Sequence, residues 1–168
     1  CTGRIYAIGE TLNNQSDTFK CNHKLTELEV EPLIDANHCY LETVSKGKNG
    51  KHFFAVYRNW MKGKRIILGI GQNDEQQLGI NTGGSCVAEM KILEFRFGAK
   101  ISEISTGRYH SLFLTEDGKV YGSGLGLTVS SNFKQPRFVT GFESSVKKIC
   151  SGEMHNLCLD VKGKVWGF

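Results

Sequence analysis

An internal repeat constrains the fold of this chain more than any other feature of its sequence. Residues 101–122 match residues 146–167 at a constant offset of 45 without gaps, and nine of the 22 columns are identical. So many identities in so short a window indicate two copies of one structural unit. The identical pairs are Ile104/Ile149, Gly107/Gly152, His110/His155, Leu112/Leu157, Leu114/Leu159, Gly118/Gly163, Lys119/Lys164, Val120/Val165 and Gly122/Gly167.

Two weaker copies extend the repeat toward the N-terminus. Residues 52–71 repeat the histidine, the apolar run and the later glycine, with a longer stretch between them. Residues 3–9 form a partial fourth copy. A glycine before a basic residue therefore recurs in all four copies, at positions 3, 63, 118 and 163.

Each copy is predicted to be two short strands joined by a tight turn. Leu112 and Leu114 alternate with Phe113, which is typical of a strand covered on both faces. Asp117 and Gly118 then predict a hairpin turn, because glycine adopts positive φ without steric cost. Glycines just before the repeated histidines predict bends or a close approach of the backbone. The remaining predicted structural glycines are Gly107, Gly152 and Gly163.

The repeated histidines are predicted to be structural. His110 and His155 share one repeat position, and we expect each imidazole to tie a turn to a backbone carbonyl within its own unit. A triad of His110, Ser111 and Asp117 is excluded because adjacent strand residues point to opposite faces. Cys158 and His155 are excluded as a nucleophile and its base for the same kind of reason, since they lie three residues apart on one strand.

The rest of the chain also favours short strands. It contains 20 glycines against two prolines, and its one helical pattern, around residues 27–34, is interrupted by Pro32. No apolar run approaches the length of a membrane-spanning helix. Repeats of this length, built from short antiparallel strands, predict an all-β fold, namely a β-propeller with four-stranded antiparallel blades.

The repeat resembles that of the regulator of chromosome condensation family. Residues 107–121 match the family's first motif, a glycine followed by His-Ser-Leu-x-Leu and then Asp-Gly-x-Val-Tyr. Residues 71–79 match its second motif, which ends in Gln-Leu-Gly, and residues 136–139 are similar to the proline-led strand that opens the next repeat. The resemblance covers residues 51–168 well and residues 1–50 poorly.

Two departures from the family pattern affect loops. Gln76 stands where the family has a glycine before Gln-Leu-Gly, and the Gln-Leu-Gly element is missing after Gly124. We therefore expect a remodelled loop after Gly124.

The resemblance implies a seven-bladed propeller. Some members of the family act as guanine-nucleotide exchange factors for a Ran-like small GTPase through a protruding hairpin, and others bind chromatin, peripheral membrane proteins or ubiquitin-ligase partners. No residue of this chain is matched to that hairpin. The resemblance therefore implies the fold more directly than the activity.

The repeat boundaries divide the chain into parts of one propeller domain. They predict the end of a blade at 1–9, a diverged blade or an insertion at 10–50, repeat units at 51–100 and 101–145, and the start of a further unit at 146–168. We expect an incomplete ring with unpaired sheet edges. The missing blades would come from the rest of the chain or from another polypeptide.

The charge distribution predicts one basic surface. The net charge is +4, and no acidic residue lies between positions 43 and 73. Such a cluster suits phosphates or an acidic protein face, and the alternative is solvated loop charge. Arg58 lies within this stretch, and the predicted partner surface consists of Lys46, Lys48, Lys51, Lys62, Lys64 and Arg65.

The cysteines and glycine-rich segments predict no catalysis. Six cysteines without a CxxC motif favour free thiols in a reducing compartment, the cytoplasm or the nucleus. Cys21, His23, His38 and Cys39 are metal-ligand types, but adjacent His38 and Cys39 would diverge on a strand, so ordinary loop and core roles are favoured over zinc. No phosphate-binding loop is present, and we expect neither an enzyme nor a cofactor.

Three functions remain. The first is a non-catalytic scaffold whose propeller-face loops bind a protein partner. The second is guanine-nucleotide exchange on a small Ran-like GTPase. The third is chromatin or nucleic-acid binding through the basic stretch 46–65.

Overall fold

The computed structural model describes residues 5–13, 16–28, 30, 33–35, 37–82, 84–127 and 135–168. All regular elements in these ranges are β-strands. They are β1 (Ile5–Asn13), β2 (Ser16–Leu28), β3 (Cys39–Lys46), β4 (His52–Asn59), β5 (Lys64–Gln72), β6 (Cys86–Ile92), β7 (Ile101–Thr106), β8 (His110–Thr115), β9 (Val120–Gly124), β10 (Arg137–Phe138), β11 (Val146–Ser151), β12 (Asn156–Asp160) and β13 (Val165–Gly167).

The strands form one hairpin and three sheets, in which each strand pairs with its neighbour in sequence. β1 and β2 form the hairpin, β3 to β6 the first sheet, β7 to β10 the second sheet and β11 to β13 the third sheet. All pairings are antiparallel, and the sheets are open rather than closed on themselves. The prediction of an all-β fold with four-stranded antiparallel sheets is confirmed.

The first sheet begins at Cys39, within the segment predicted to be a diverged blade or an insertion, and the second and third sheets begin at Ile101 and Val146. The segment 10–50 contributes most of the hairpin and also β3, the first strand of the first sheet. The segment 27–34, which has the one helical pattern of the sequence, contains no helical residue among those described. Pro32 itself lies outside the described residues. The loop expected to be remodelled after Gly124 continues into residues 128–134, which also lie outside the described residues.

The central strands are buried on both faces. Leu112 and Leu114 of β8 pack against the third sheet, and Phe113 packs against the first sheet. β4 repeats the arrangement, since Phe54 faces the second sheet and Tyr57 faces the side of the hairpin. Burial on both faces explains why these strands read as continuous apolar runs.

Aromatic rings fill the space between the first and second sheets. The ring of Phe113 lies 5.4 Å from that of Phe54 in an edge-on arrangement and 4.9 Å from that of Phe95. Phe97 stacks beside Tyr121 with ring centroids 4.5 Å apart. Phe95 and Phe97 lie on the segment between β6 and β7, so this connection becomes part of the core.

Three hairpin turns contain a glycine with positive φ. The angle is 60° at Gly63, 78° at Gly118 and 87° at Gly163, as the repeat predicts for the last two. A Cβ on Gly118 would lie 2.5 Å from the Cβ of Ser145, whereas one on Gly63 would have no atom within 4 Å. The turn at Gly118 therefore imposes both a dihedral and a space constraint.

We expect Gly118→Ala to destabilise the protein more than Gly63→Ala. Both changes place an alanine in the left-handed region, at a cost of about 1–2 kcal/mol. Only Gly118→Ala adds overpacking against Ser145, which costs about 1 kcal/mol or more. Urea unfolding of the two variants measures the difference, and equal losses would contradict the close approach at Gly118.

Candidate functional site

Each repeated histidine is packed onto the glycine three residues before it. A Cβ on Gly107 would lie 2.2 Å from Cε1 of His110, and a Cβ on Gly152 would lie 2.2 Å from Cε1 of His155. The backbone closes the same turns, because the Gly107 and Gly152 amides donate to the carbonyls of those histidines at 2.8 Å. Glycine is required here because the imidazole occupies the space of a side chain.

The buried histidines bond to the following sheet. His52 Nε2 lies 2.8 Å from Ser111 Oγ, and His110 Nε2 lies 2.9 Å from Asn156 Oδ1. These partners are side chains of the next unit, whereas the sequence led us to expect backbone carbonyls of the same unit. Ser111 and Asn156 are equivalent positions, so the repeated bond joins each sheet to its successor.

The hydrogen-bond partners fix the tautomer of both rings. Ser111 Oγ donates its hydrogen to the carbonyl of Gln77 at 2.7 Å, so it accepts from His52 Nε2. Asn156 Oδ1 is an acceptor, so His110 Nε2 also carries its hydrogen. The neutral imidazole with hydrogen on Nε2 therefore satisfies the contact between sheets.

Burial keeps these histidines neutral. Desolvation and, to a smaller extent, the nearby His110 ring lower the pKa of His52 to about 4. Desolvation also lowers the pKa of His110, against the opposing effect of its bond to Asn156. Rings held neutral and bonded between sheets have a structural role, unlike a general base with a pKa near neutrality.

The Gln-Leu-Gly loop belongs to the same contact. Ser123 Oγ donates to the carbonyl of Gln76, and Asn73 Oδ1 accepts from the amide of Leu78 at 3.0 Å. Gln76 has φ of 59°, which explains why the family prefers glycine there. The loop therefore links the first sheet to the second next to the His52 and Ser111 bond.

The six predicted basic residues do not form one patch. Lys46, Lys48 and Lys51 lie by the turn between β3 and β4, at the end of the sheets that carries the Gly-x-x-His turns, which we call the histidine end. Lys62, Lys64 and Arg65 lie by the turn between β4 and β5, which we call the tryptophan end because it carries Trp60. The eight residues of β4 separate the two groups by about 26 Å.

Arg65 is part of a contact between sheets. Its guanidinium donates to both carboxylate oxygens of Glu42 at 2.6 and 2.9 Å, and to the carbonyl of Ile101 at 2.7 Å. It also pairs with Glu116 at 3.2 Å. These bonds raise the pKa of Arg65 and lower the pKa of Glu42. Arg65 therefore joins the first sheet to the second and is not a free charge for a partner.

Two further titratable groups with displaced pKa values, Asp160 and Cys158, also have structural surroundings. Asp160 accepts from Ser144 Oγ, from Trp166 Nε1 and from the amides of Lys162 and Lys164, and these bonds lower its pKa to about 2. Burial raises the pKa of Cys158 to about 11, which disfavours a reactive thiolate.

The predicted metal-ligand set is described only in part. His38 Nδ1 lies 2.7 Å from Asp35 Oδ2, and Cys39 is a buried free thiol. The side chains of Cys21 and His23 lie outside the described part of the chain. Among the residues that are described, no three histidine, cysteine or acidic side chains are grouped to hold a metal ion.

No helix long and apolar enough to span a membrane occurs in the described residues.

Large side chains are exposed at both ends of the sheets. Trp60 is 59% exposed and Met61 is 62% exposed at the tryptophan end, and Met154 is 62% exposed at the histidine end.

The loop after β5 forms a polar depression at the histidine end. It is lined by Asn73, Asp74, Gln76, Asn81, Thr82, Gly84 and Ser85.

We expect the buried His52 to make stability pH-dependent. Its pKa is about 4 in the folded protein and about 6.5 in the unfolded chain, so the unfolded state binds more protons between these values. The free energy of unfolding should fall by up to roughly 3 kcal/mol as the pH falls from 6.5 to 4.

The control is His52→Gln, which keeps an N–H donor but does not titrate. Urea unfolding of both proteins at several pH values between 6.5 and 4 measures the slopes. The variant should lose less stability than the parent over this range, and parallel curves would contradict a buried neutral His52.

Comparison with known proteins identifies the repeat. Residues 101–127 match the family described as Regulator of chromosome condensation (RCC1) repeat. No curated protein sequence matches the chain significantly.

Solved structures show the same fold. Human WBSCR16 is 17% identical in sequence and matches with a TM-score of 0.69. The match includes 97% of this chain and 42% of WBSCR16. Prp20p from Saccharomyces cerevisiae is 15% identical with a TM-score of 0.55, and 99% of this chain covers 54% of it. Yeast RCC1 (Prp20) in complex with Kap60 is 15% identical with a TM-score of 0.56, at 99% and 52% coverage. The chain thus spans about half the length of these proteins, it contains an RCC1-type repeat at residues 101–127, and its fold is similar to part of their β-propellers.

Proposed function

We propose that this chain is a non-catalytic scaffold that binds a protein partner through the loops at the ends of its sheets. One observation carries the proposal. The histidines His52 and His110 are bonded between sheets, whereas large apolar side chains such as Trp60 and Met154 are exposed on the turns. A rigid sheet scaffold that presents exposed side chains on loops is typical of binding proteins.

The similar yeast proteins also support protein binding. Prp20p is reported with its binding properties to Gsp1p and histones, and the other yeast structure is a complex with Kap60. Identities of about 15% carry the fold and not the partner. We therefore propose that this chain binds a protein partner, without proposing that it is Gsp1p, a histone or Kap60. We also propose that it acts in a reducing compartment such as the cytoplasm or nucleus.

Nucleotide exchange on a small Ran-like GTPase is the second candidate. The reported binding of Prp20p to Gsp1p favours it. This chain would then act by stabilising the nucleotide-free GTPase, which needs differential binding and no acid or base.

Chromatin or nucleic-acid binding through residues 46–65 is the third candidate. The separation of Lys46, Lys48 and Lys51 from Lys62 and Lys64 weakens it, since a phosphate backbone would meet two small groups at opposite ends of β4. Arg65 is already paired with Glu42.

We also propose that the third sheet is covered by a further blade, from the rest of the chain or from another polypeptide. His155 is exposed, unlike its buried counterparts His52 and His110. Leu157 and Val165 of the third sheet are exposed as well. A serine or asparagine of a further blade, placed like Ser111 and Asn156, would accept from His155.

The expected result is partner contact at the loops and no exchange activity. A photo-reactive amino acid placed at Met61 or at Met154 should cross-link one recurring protein from cell extract. The same group at Ile92, exposed on the outer strand β6, is the matched control. A nucleotide-release assay with a panel of small GTPases should show no acceleration at micromolar protein.

Two results would contradict the proposal. Cross-linking that is no stronger at the two loop positions than at Ile92 would exclude loop-mediated binding. Accelerated release from any GTPase would establish the second candidate instead.

A further inference from the structure

The turn between β4 and β5 holds a fixed shape at the tryptophan end. Asn59 is buried, and its Oδ1 accepts from the amide of Lys62 at 2.8 Å. Gly63 provides the left-handed residue with φ of 60°. An internal side-chain bond and a glycine therefore define the conformation of residues 59–64 before any partner binds.

Trp60 is supported although it is exposed. Its amide donates to the carbonyl of His38 at 3.0 Å, and its indole lies 5.5 Å from the His38 ring. His38 is in turn held by Asp35 at 2.7 Å. A tryptophan held in one orientation loses little conformational entropy on binding, and tryptophan is enriched among residues that dominate binding energy.

The described residues around this turn carry a net positive charge. No ion pair of Lys62 or Lys64 occurs among the residues that the structure describes, in contrast to Arg65 and Arg58, which both pair with Glu42. The acid beside Lys62 is Asp35, whose pKa is lowered first by its bond to His38 and to a smaller extent by Lys62. Two lysines that follow an apolar pair in the same turn leave charge for an acidic partner to neutralise.

We propose that Trp60, Met61, Lys62 and Lys64 form the docking surface for an acidic polypeptide segment that carries an apolar side chain. The apolar side chain would cover the indole and the flexible Met61, and carboxylates near it would meet the two lysines. The inference rests on the proposed scaffold function and names both the surface and the chemistry of the partner.

The geometry favours a protein segment over a nucleic acid. Single-stranded nucleic acids bind along a basic groove with several aromatic platforms, whereas this turn presents one indole next to a methionine. The lysines at the histidine end lie too far away to continue a phosphate track, about 26 Å along β4.

The test selects ligands from a random peptide library and then measures their affinities. Peptides that bind the parent protein should be net acidic and carry Leu, Phe or another apolar residue.

Trp60→Ala and the double change Lys62→Glu with Lys64→Glu should each weaken the affinity for a selected synthetic peptide by about tenfold or more. Ile92→Ala is the control because Ile92 is exposed on the outer strand β6, outside this turn, and it should leave the affinity unchanged. Added salt should weaken binding to the parent more than binding to the lysine variant.

Melting curves of the variants establish that each is folded, and the lysine variant provides an independent reading if Trp60→Ala unfolds. The proposal is overturned if selection yields no acidic peptide, or if the affinity survives both sets of changes. It is also overturned if an oligothymidylate or a phosphatidylserine vesicle binds this turn more tightly than the selected peptides. Met154→Ala tests the histidine end, and if it weakens the peptides while the changes at Trp60, Lys62 and Lys64 do not, this surface is wrong while the scaffold function stands. If no loop position cross-links a partner, the scaffold function itself fails.

Discussion

A buried hydrogen bond from a histidine to the following sheet is the constraint on which the rest of this structure depends. The donor is the Nε2 of His52 or His110, and the acceptor is the residue just after the next repeated histidine. Burial favours the neutral ring, and the glycine at Gly107 leaves the space in which the ring of His110 lies. One interaction therefore explains the glycine, the histidine and the following polar residue of the motif, because a buried donor left without its acceptor is costly.

The repeat tolerates change where another group can take over a bond. Thr115 and Asp160 occupy one position, and each accepts from the amide four residues later in its turn. Gln76 adopts the left-handed conformation of the family glycine while its carbonyl still accepts from Ser123. Phe53 stands where Ser111 and Asn156 accept from histidine, and there it packs against apolar residues shared with the hairpin. The junction on that side of the first sheet is therefore apolar.

The parts of the fold that depend on local chemistry could be predicted from the sequence. Alternation around Phe113 predicted burial on both faces, and the glycine turns predicted positive φ at Gly118 and Gly163. The partner of each histidine could not be found by aligning repeats, because the bond runs from one copy to the next rather than within a copy. The sequence did contain a signal for this partner, namely the polar residue that follows His110 and His155 but does not follow His52. The basic residues at 46–65 are close in sequence, but they do not form a single surface, because the whole of β4 separates the two groups.

The most direct test of this account is a double-mutant cycle on His110 and Asn156, read by urea unfolding. Both side chains are buried, and the nitrogen and oxygen lie 2.9 Å apart across the boundary between two sheets. The account predicts that His110→Ala and Asn156→Ala are non-additive, with a coupling of about 1 kcal/mol or more. Effects that add within about 0.3 kcal/mol would show that the bond does not hold the sheets together.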